Sequence, residues 1–370
     1  MPHSMRLDDN FFLHFQRKAR RTAVNSGPGH PSQMAPCLVP RAPAKLAAMH
    51  LRDDSVFCLL VSHMNCFNML KKYLAACLVG LAVSTTANAN DRFSVFYIGH
   101  SLMSDIPAMT RTLVESDRGS RFSLRQQEIP GAPLRWQWEA KDRNDQFEPH
   151  FGGRYDIHLS QGQFDTLVLT DSVPRGGPGM EAETVDYLGR IADFARQHRP
   201  DIRIYYYSTW HFLTSGTPNN SPYDKDAPNR NLKWRERIDA DAKMWERIVN
   251  KVNAARPGAP PIKIIPGGTV LAALSDAIDD GQFTEWKSIR DLFSDDIHTN
   301  HYGKYAVALA HYAALTGKSP VGLTSNLKDL WGRPYWNHKT WDGKIYPPMH
   351  PDTVKKMQEI VANTISTQPR

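Results

Sequence analysis

Ser101, Asp295 and His298 are the residues of this chain whose types and spacing best suit chemistry. Ser101 stands in Phe96-Tyr97-Ile98-Gly99-His100-Ser101-Leu102, at the turn after an apolar run. Far along the chain, Asp295-Asp296-Ile297-His298 puts a carboxylate three residues before an imidazole. A serine hydroxyl is a weak nucleophile until a base takes its proton, and the base needs a third group to hold its ring. Residues at i and i+3 of a turn lie on one side, so Asp295 suits the orienting role better than Asp296. A serine that opens a helix after a strand also has free main-chain N–H groups beside it for a developing oxyanion.

Each string has a plainer reading. Ser101 also fits a helix N-cap, and the two aspartates fit caps of a polar loop. His100, next to Ser101, is an alternative base; adjacent side chains after a strand diverge, which favours His298. Asp295, His298 and His301 share a face that a metal could use. No second His or Glu cluster completes the set of three or more protein ligands a metal site usually has, so neither metal nor cofactor is expected.

The elements that must position these residues alternate. Apolar runs at 93–98, 124–129, 166–169, 202–207 and 262–265 predict strands. Helical spacing is seen over 106–114, 185–195, 233–252, from near Gly303, and over 352–365. Such alternation predicts a parallel sheet with helices on both faces, and such sheets carry their sites at the carboxyl ends of the strands. Ser101, Gly131, Asp171-Ser172, Trp210-His211 and Gly267-Gly268 each follow one predicted strand. Residues 135–160 and 212–232 read as long loops that wall a cleft. Trp136, Trp210 and His211 are the expected substrate-binding residues, with Trp138, Trp331, Trp336 and Trp341 as further rings for stacking on sugars.

The combination of Gly99-His100-Ser101-Leu102 after the first strand and Asp295-Asp296-Ile297-His298 before the last core helix resembles the SGNH (GDSL-like) hydrolase superfamily, over roughly residues 93–323. The resemblance implies an α/β fold, a three-layer α/β/α sandwich with a parallel, flavodoxin-like central sheet. It also implies ester hydrolysis by a Ser101–His298–Asp295 triad. In this family a glycine after the second strand gives its N–H to the oxyanion, and Gly131 matches it. An asparagine after the third strand supplies a further donor; here the block reads Thr170-Asp171-Ser172, without one. An ionised Asp171 would repel an oxyanion, so the hydroxyls of Thr170 or Ser172 are the expected substitutes, beside the N–H groups of Ser101 and Gly131.

The chain has 370 residues and a net charge of +7, but residues 1–89 hold ten Lys/Arg and four Asp/Glu, leaving +1 on the rest. No basic face for nucleic acid is evident. Met69-Leu70-Lys71-Lys72, a short apolar run and Ala87-Asn88-Ala89 read as a secretory signal over 69–89. Residues 1–68 then read as a non-native upstream extension, 90–325 as the SGNH-type hydrolase domain, and 326–370 as an aromatic-rich C-terminal extension packed on it. Cys77 after Leu74-Ala75-Ala76 also resembles a lipoprotein box. All four cysteines, Cys37, Cys58, Cys66 and Cys77, precede the cut, so the mature chain has no disulfide or thiol chemistry. A periplasmic or secreted protein without stable membrane insertion is expected. Its expected substrate is an acetylated glycan or another ester, with lipid, thioester or general carboxylic ester hydrolysis, acyl transfer in place of hydrolysis, and non-catalytic glycan binding as the other readings.

Overall fold

The computed structural model describes residues 92–117, 119–142, 151–215, 224–340 and 343–367. The expected signal segment, the upstream extension, the cysteines and Trp341 lie outside the described residues.

Five parallel strands and one short antiparallel edge strand form the sheet. They are β1 (Arg92–Gly99), β2 (Arg121–Glu128), β3 (Phe151–Gly152), β4 (Thr166–Leu169), β5 (Arg203–Ser208) and β6 (Lys263–Pro266), in the order β3-β2-β1-β4-β5-β6. Without the antiparallel β3, the parallel strands run second, first, third, fourth, fifth, which is the flavodoxin-like order. The chain leaves β1 toward β2 on one side and returns to pair β4 on the other, so the end of β1 is the switch point where such sheets bind ligands.

Strand side chains alternate between two cores. Val95, Tyr97, Val168, Tyr205, Tyr207 and Ile265 face one, which holds α1 (Ile106–Ser116), α6 (Gly267–Asp279), α7 (His301–Thr316) and α8 (Pro351–Ser366). Phe96, Ile98, Leu167, Leu169, Ile204 and Tyr206 face the other, with α3 (Tyr155–Leu159), α4 (Pro178–His198) and α5 (Trp234–Ala254). A six-residue helix, α2 (Leu134–Glu139), follows the turn after β2. Burial on both faces explains why β1 and β4 read as continuous apolar runs rather than alternating ones.

Residues 135–160 are not one loop: α2, β3 and α3 lie within them, elements of six, two and five residues, too short to show a period. Helix α6, not expected from the sequence, buries Val270, Leu271, Ala272, Leu274, Ala277 and Ile278 and leaves a narrow outer face at Thr269, Ala273 and Asp276. The last core helix starts at His301, two residues before Gly303. A Cβ at Gly303 would come within 2.6 Å of the Leu292 carbonyl oxygen, so the glycine allows a close approach instead of opening the helix. The tail joins the first core through Leu327, Tyr335, Trp336, Tyr346 and Met349. Among the described residues no helix is long and apolar enough to cross a membrane.

Candidate active site

Strand β1 ends at Gly99, and a 3₁₀ turn over Ser101–Met103 leads into α1. His100 is its N-cap, with the Leu102 N–H 3.4 Å from His100 Nδ1. His100 Nε2 lies 2.9 Å from the Asp171 carbonyl oxygen and donates to it. Burial lowers the His100 pKa below the ordinary histidine value, so the ring is neutral with both nitrogens engaged by the main chain. His100 is therefore a structural residue of the turn and has no free nitrogen with which to act as base.

The histidine comes from a tight loop closed by a bridge between Phe293 and Thr299. The Ser294 N–H and hydroxyl both donate to the His298 carbonyl oxygen, at 2.8 and 3.0 Å. Asp295 Oδ1 accepts the N–H groups of Ile297 and His298 at 2.9 and 2.7 Å, and Oδ2 lies 2.7 Å from His298 Nδ1. On the other side of the ring, His298 Nε2 is 2.8 Å from Ser101 Oγ, across 197 residues of sequence. Burial raises the Asp295 pKa, but hydrogen bonds from the His298 ring and from the N–H groups of His298 and Ile297 outweigh it and hold the carboxyl at about 2. An ionised Asp295 fixes the proton on Nδ1 and leaves Nε2 to accept from Ser101. Asp296 turns elsewhere: its carboxylate accepts from the Thr214 hydroxyl at 2.6 Å and its carbonyl from Leu213 N at 2.8 Å.

The N–H of Ser101 and that of Gly131 make no hydrogen bond among the described residues. Gly131 follows β2, the direct neighbour of β1, and its φ of +68° is one that a side chain would strain. The two N–H groups thus belong to turns at adjacent strand ends, and both lack an internal acceptor.

The block after β4 departs from its sequence reading. Thr170 is fully buried and its hydroxyl faces the Asp171 carbonyl oxygen at 3.4 Å, so it is closed off as a donor. The Asp171 carboxylate also points inward. Oδ1 accepts the N–H groups of Leu134 and Ser172 at 3.0 and 2.8 Å, Oδ2 accepts the Thr184 hydroxyl at 2.7 Å, and Arg175 Nε lies 3.4 Å away. Asp171 is a staple between the segments that follow β2 and β4. The Ser172 N–H is committed to it, leaving the Ser172 hydroxyl as the candidate third donor.

The expected substrate-binding residues are corrected by their burial. Trp210 is 0 % exposed, and its indole N–H donates to the Ile297 carbonyl oxygen at 2.6 Å, bracing the histidine loop from below. His211 is likewise 0 % exposed, 3.6 Å from Asp224 within an acidic cluster around Arg237. Trp136 keeps 6 % of its surface in α2. Trp210 is taken up by the first core, and Trp136 and His211 are covered as well, so none of the three rings is exposed for stacking. Trp336 is buried too, whereas Trp331 is 71 % exposed. His301 turns away from His298, its Nδ1 3.2 Å from the Tyr335 carbonyl oxygen, and no group of three or more metal-ligating side chains exists among the described residues.

Sequence reasoning missed the polar residues beneath the turn. Gln137 Nε2 donates to the Gly99 carbonyl oxygen at 2.6 Å, and Gln127 Nε2 donates to Gln137 Oε1 at 2.9 Å. Glu128 is buried and hydrogen-bonded to the Ser104 hydroxyl. Asp105 meets Lys304 at 2.6 Å. Their signal was available only as polar residues inside an apolar strand or helix pattern, as at Gln127 and Lys304.

No family model matches the sequence, and no curated protein matches it. Among solved structures, the chain is similar to a DUF4886 family protein from Bacteroides uniformis, with a TM-score of 0.50 and 18 % identity over 75 % of this chain and 96 % of that one. That likeness is one of fold. Weaker similarity is found to a GDSL-like lipase structure from Parabacteroides merdae (TM-score 0.38, 12 % identity, 62 % of this chain and 96 % of that one). It is also found to a carbohydrate esterase family 2 enzyme with its carbohydrate-binding domain from Corynascus thermopiles (Myceliophthora fergusii), with a TM-score of 0.33 and 11 % identity over 62 % of this chain and 67 % of that one.

Proposed function

We propose that this chain is a serine ester hydrolase, acting on O-acetyl groups of a carbohydrate outside the cytoplasm. The observation that carries the reaction is the continuous contact from Ser101 Oγ through His298 to Asp295, at 2.8 and 2.7 Å. Ser101 Oγ attacks the ester carbonyl carbon while His298 Nε2 takes its proton. The oxyanion is met by the N–H groups of Ser101 and Gly131, with the Ser172 hydroxyl as third donor. His298 returns the proton to the leaving sugar oxygen, and the acyl group stays on Ser101. Water then attacks the acyl carbon, giving its proton to His298, and acetate leaves as Ser101 is restored. Asp295 stays ionised and supports the imidazolium that forms twice in the cycle.

The acetylated-glycan substrate rests on the export signature at 69–89 and on the near-neutral charge of residues 90–370. Trp136, Trp210 and His211 are buried and offer no ring for stacking on a sugar. Hydrolysis of 4-nitrophenyl acetate by the purified protein, lost in Ser101→Ala, tests the reaction. Acetate release from acetylated polysaccharides, compared with turnover of long-chain acyl esters, tests the substrate. Turnover of long chains alone refutes the carbohydrate assignment, and glycan binding without any hydrolysis refutes the enzyme.

A further inference from the structure

The residues around Ser101 are tied one by one to different parts of the fold. The Gly99 carbonyl is held by Gln137 in α2, His100 by the Asp171 carbonyl after β4, and the Leu102 carbonyl by the Tyr207 hydroxyl of β5 at 3.1 Å. Ser104 is held by Glu128 at the end of β2. All of these anchor the serine turn to the sheet or to the segments at its edge. None connects it to the element that carries the histidine loop onward.

Asp105 makes that connection. It occupies the N-cap of α1, yet its side chain makes no cap bond, and its φ of +69° lies in the left-handed region, which aspartate enters more readily than most side chains. The carboxylate is directed across to α7: Lys304 Nζ donates to Oδ2 at 2.6 Å, and the Tyr335 hydroxyl donates to Oδ1 at 3.2 Å. Lys304 is 5 % exposed, and a buried ammonium needs a partner. It lies in the first turns of α7, six residues beyond His298. Asn300 fixes the interval by accepting the N–H groups of Tyr302 and Gly303 and donating to the Asp291 carbonyl at 2.7 Å.

We propose that Asp105 and Lys304, braced by Tyr335, form a positioning strut that sets the distance between the serine turn and the histidine loop. The inference rests on the serine-hydrolase reading above. Burial raises the Asp105 pKa, but the charge and hydrogen bond of Lys304 outweigh it and keep the carboxylate ionised, so the strut is a charged pair at neutral pH. Neither residue touches the reacting atoms. The strut acts through Ser101 and His298, and a displacement of about 1 Å there costs on the order of 10²-fold in rate.

The test compares wild type with Tyr335→Phe, Lys304→Met and the neutral pair D105N/K304M. It follows thermal midpoint, kcat and KM on 4-nitrophenyl acetate, and the rate of Ser101 labelling by a fluorophosphonate. Lys304→Met takes the cation from a half-buried carboxylate that keeps only the Tyr335 hydroxyl, and is expected to lose both midpoint and activity. The neutral pair is expected to recover the midpoint of the single variant while kcat and labelling stay about 10- to 100-fold down and KM changes less than about twofold. Tyr335→Phe, which removes only one hydroxyl, is expected to lower kcat severalfold at an unchanged midpoint. Wild-type kcat in the neutral pair, or activity that tracks the midpoint across all variants, overturns the strut and leaves the hydrolase reading intact. A wild type that labels at Ser101 but hydrolyses no ester overturns the hydrolase reading alone, and the labelling rates then decide the strut. A wild type that does neither overturns both.

Discussion

Substituting Glu128→Gln should stabilise the protein above neutral pH and do nothing below pH 4. Glu128 is 2 % exposed, at the end of β2. Burial pushes its carboxyl up from the ordinary 4.5 to about 7; the Ser104 hydroxyl opposes the rise, neighbouring Asp105 adds to it, and Lys304 opposes it. Gln126 Nε2 donates to its other oxygen at 3.1 Å. In the unfolded chain the group loses its proton near pH 4.5, whereas the folded chain retains it to about 7. The folded state binds the extra proton, so folding stability falls as pH rises through that window. At about 1.4 kcal/mol per pH unit, the loss reaches roughly 3 kcal/mol above pH 7. Glutamine keeps the shape, accepts from Gln126 and donates to Ser104, and has no proton to lose. Thermal unfolding followed by circular dichroism from pH 4 to pH 8 should show superimposable midpoints at pH 4. At pH 8 the variant should melt roughly 6 °C or more above wild type. A midpoint difference that is constant with pH refutes the reasoning. A variant less stable than wild type at pH 8 refutes it more directly, since the carboxylate would then be ionised and engaged with Lys304.

Asp295→Asn should lower kcat by about 10³–10⁴-fold with little change in KM, because an amide no longer fixes the proton on His298 Nδ1; Asp296→Asn in the same ester assay should stay within about tenfold of wild type, and the reverse ranking would reassign the orienting group. His311 is buried between Tyr97 and Tyr207, at 6.1 and 4.6 Å, and burial pushes its ring down to about 3. Its unfolded form binds a proton from about pH 6.5 downward, so the wild type should lose about 2 kcal/mol between pH 6.5 and 5 that His311→Phe does not; equal slopes in urea titrations at the two pH values count against this. Asp171→Ala should destabilise by about 3 kcal/mol, because it leaves the buried N–H groups of Leu134 and Ser172 without an acceptor and takes one of two carboxylates from the buried Arg175, which keeps Glu183 at 2.6 Å. A change below about 1 kcal/mol in the urea midpoint would show that the staple is dispensable.

The layered sheet was legible because β1, β4 and β5 are apolar enough to stand out and are separated by amphipathic helices such as α5. Its antiparallel edge strand was not, since two residues carry no period. Asp295 and His298 were legible because three residues of spacing bring them together whatever the fold does. Their meeting with Ser101 depends on the strand order, which alternation constrains without determining. The errors fell on residues whose partners are distant in sequence. Asp171 sits where a donor was expected, and its role is set by Leu134 and Thr184, 37 and 13 positions away. Trp210 and His211 have the composition of a binding wall, yet which side of a strand end they occupy is decided by the histidine loop and by Arg237. Lys304 looks like a surface lysine of a helix until α1 is packed beside it.

The tail also bears on the order in which the protein becomes whole. A ribosome delivers Ser101, Asp295 and His298 well before it delivers Tyr335 or Val361, which lie in the last 45 residues. A chain interrupted after Ser325 would hold Ser101, Gly131, Ser172, Asp295 and His298. It would lack the Tyr335 hydroxyl on Asp105, the Gln358 amide on Tyr305 and on the Leu323 carbonyl, and the apolar cover of α8 over α6 and α7. Residues 326–367 thus brace the serine turn and the helices behind it from outside the sheet, so their contribution is to hold the reacting groups in place and not to supply one.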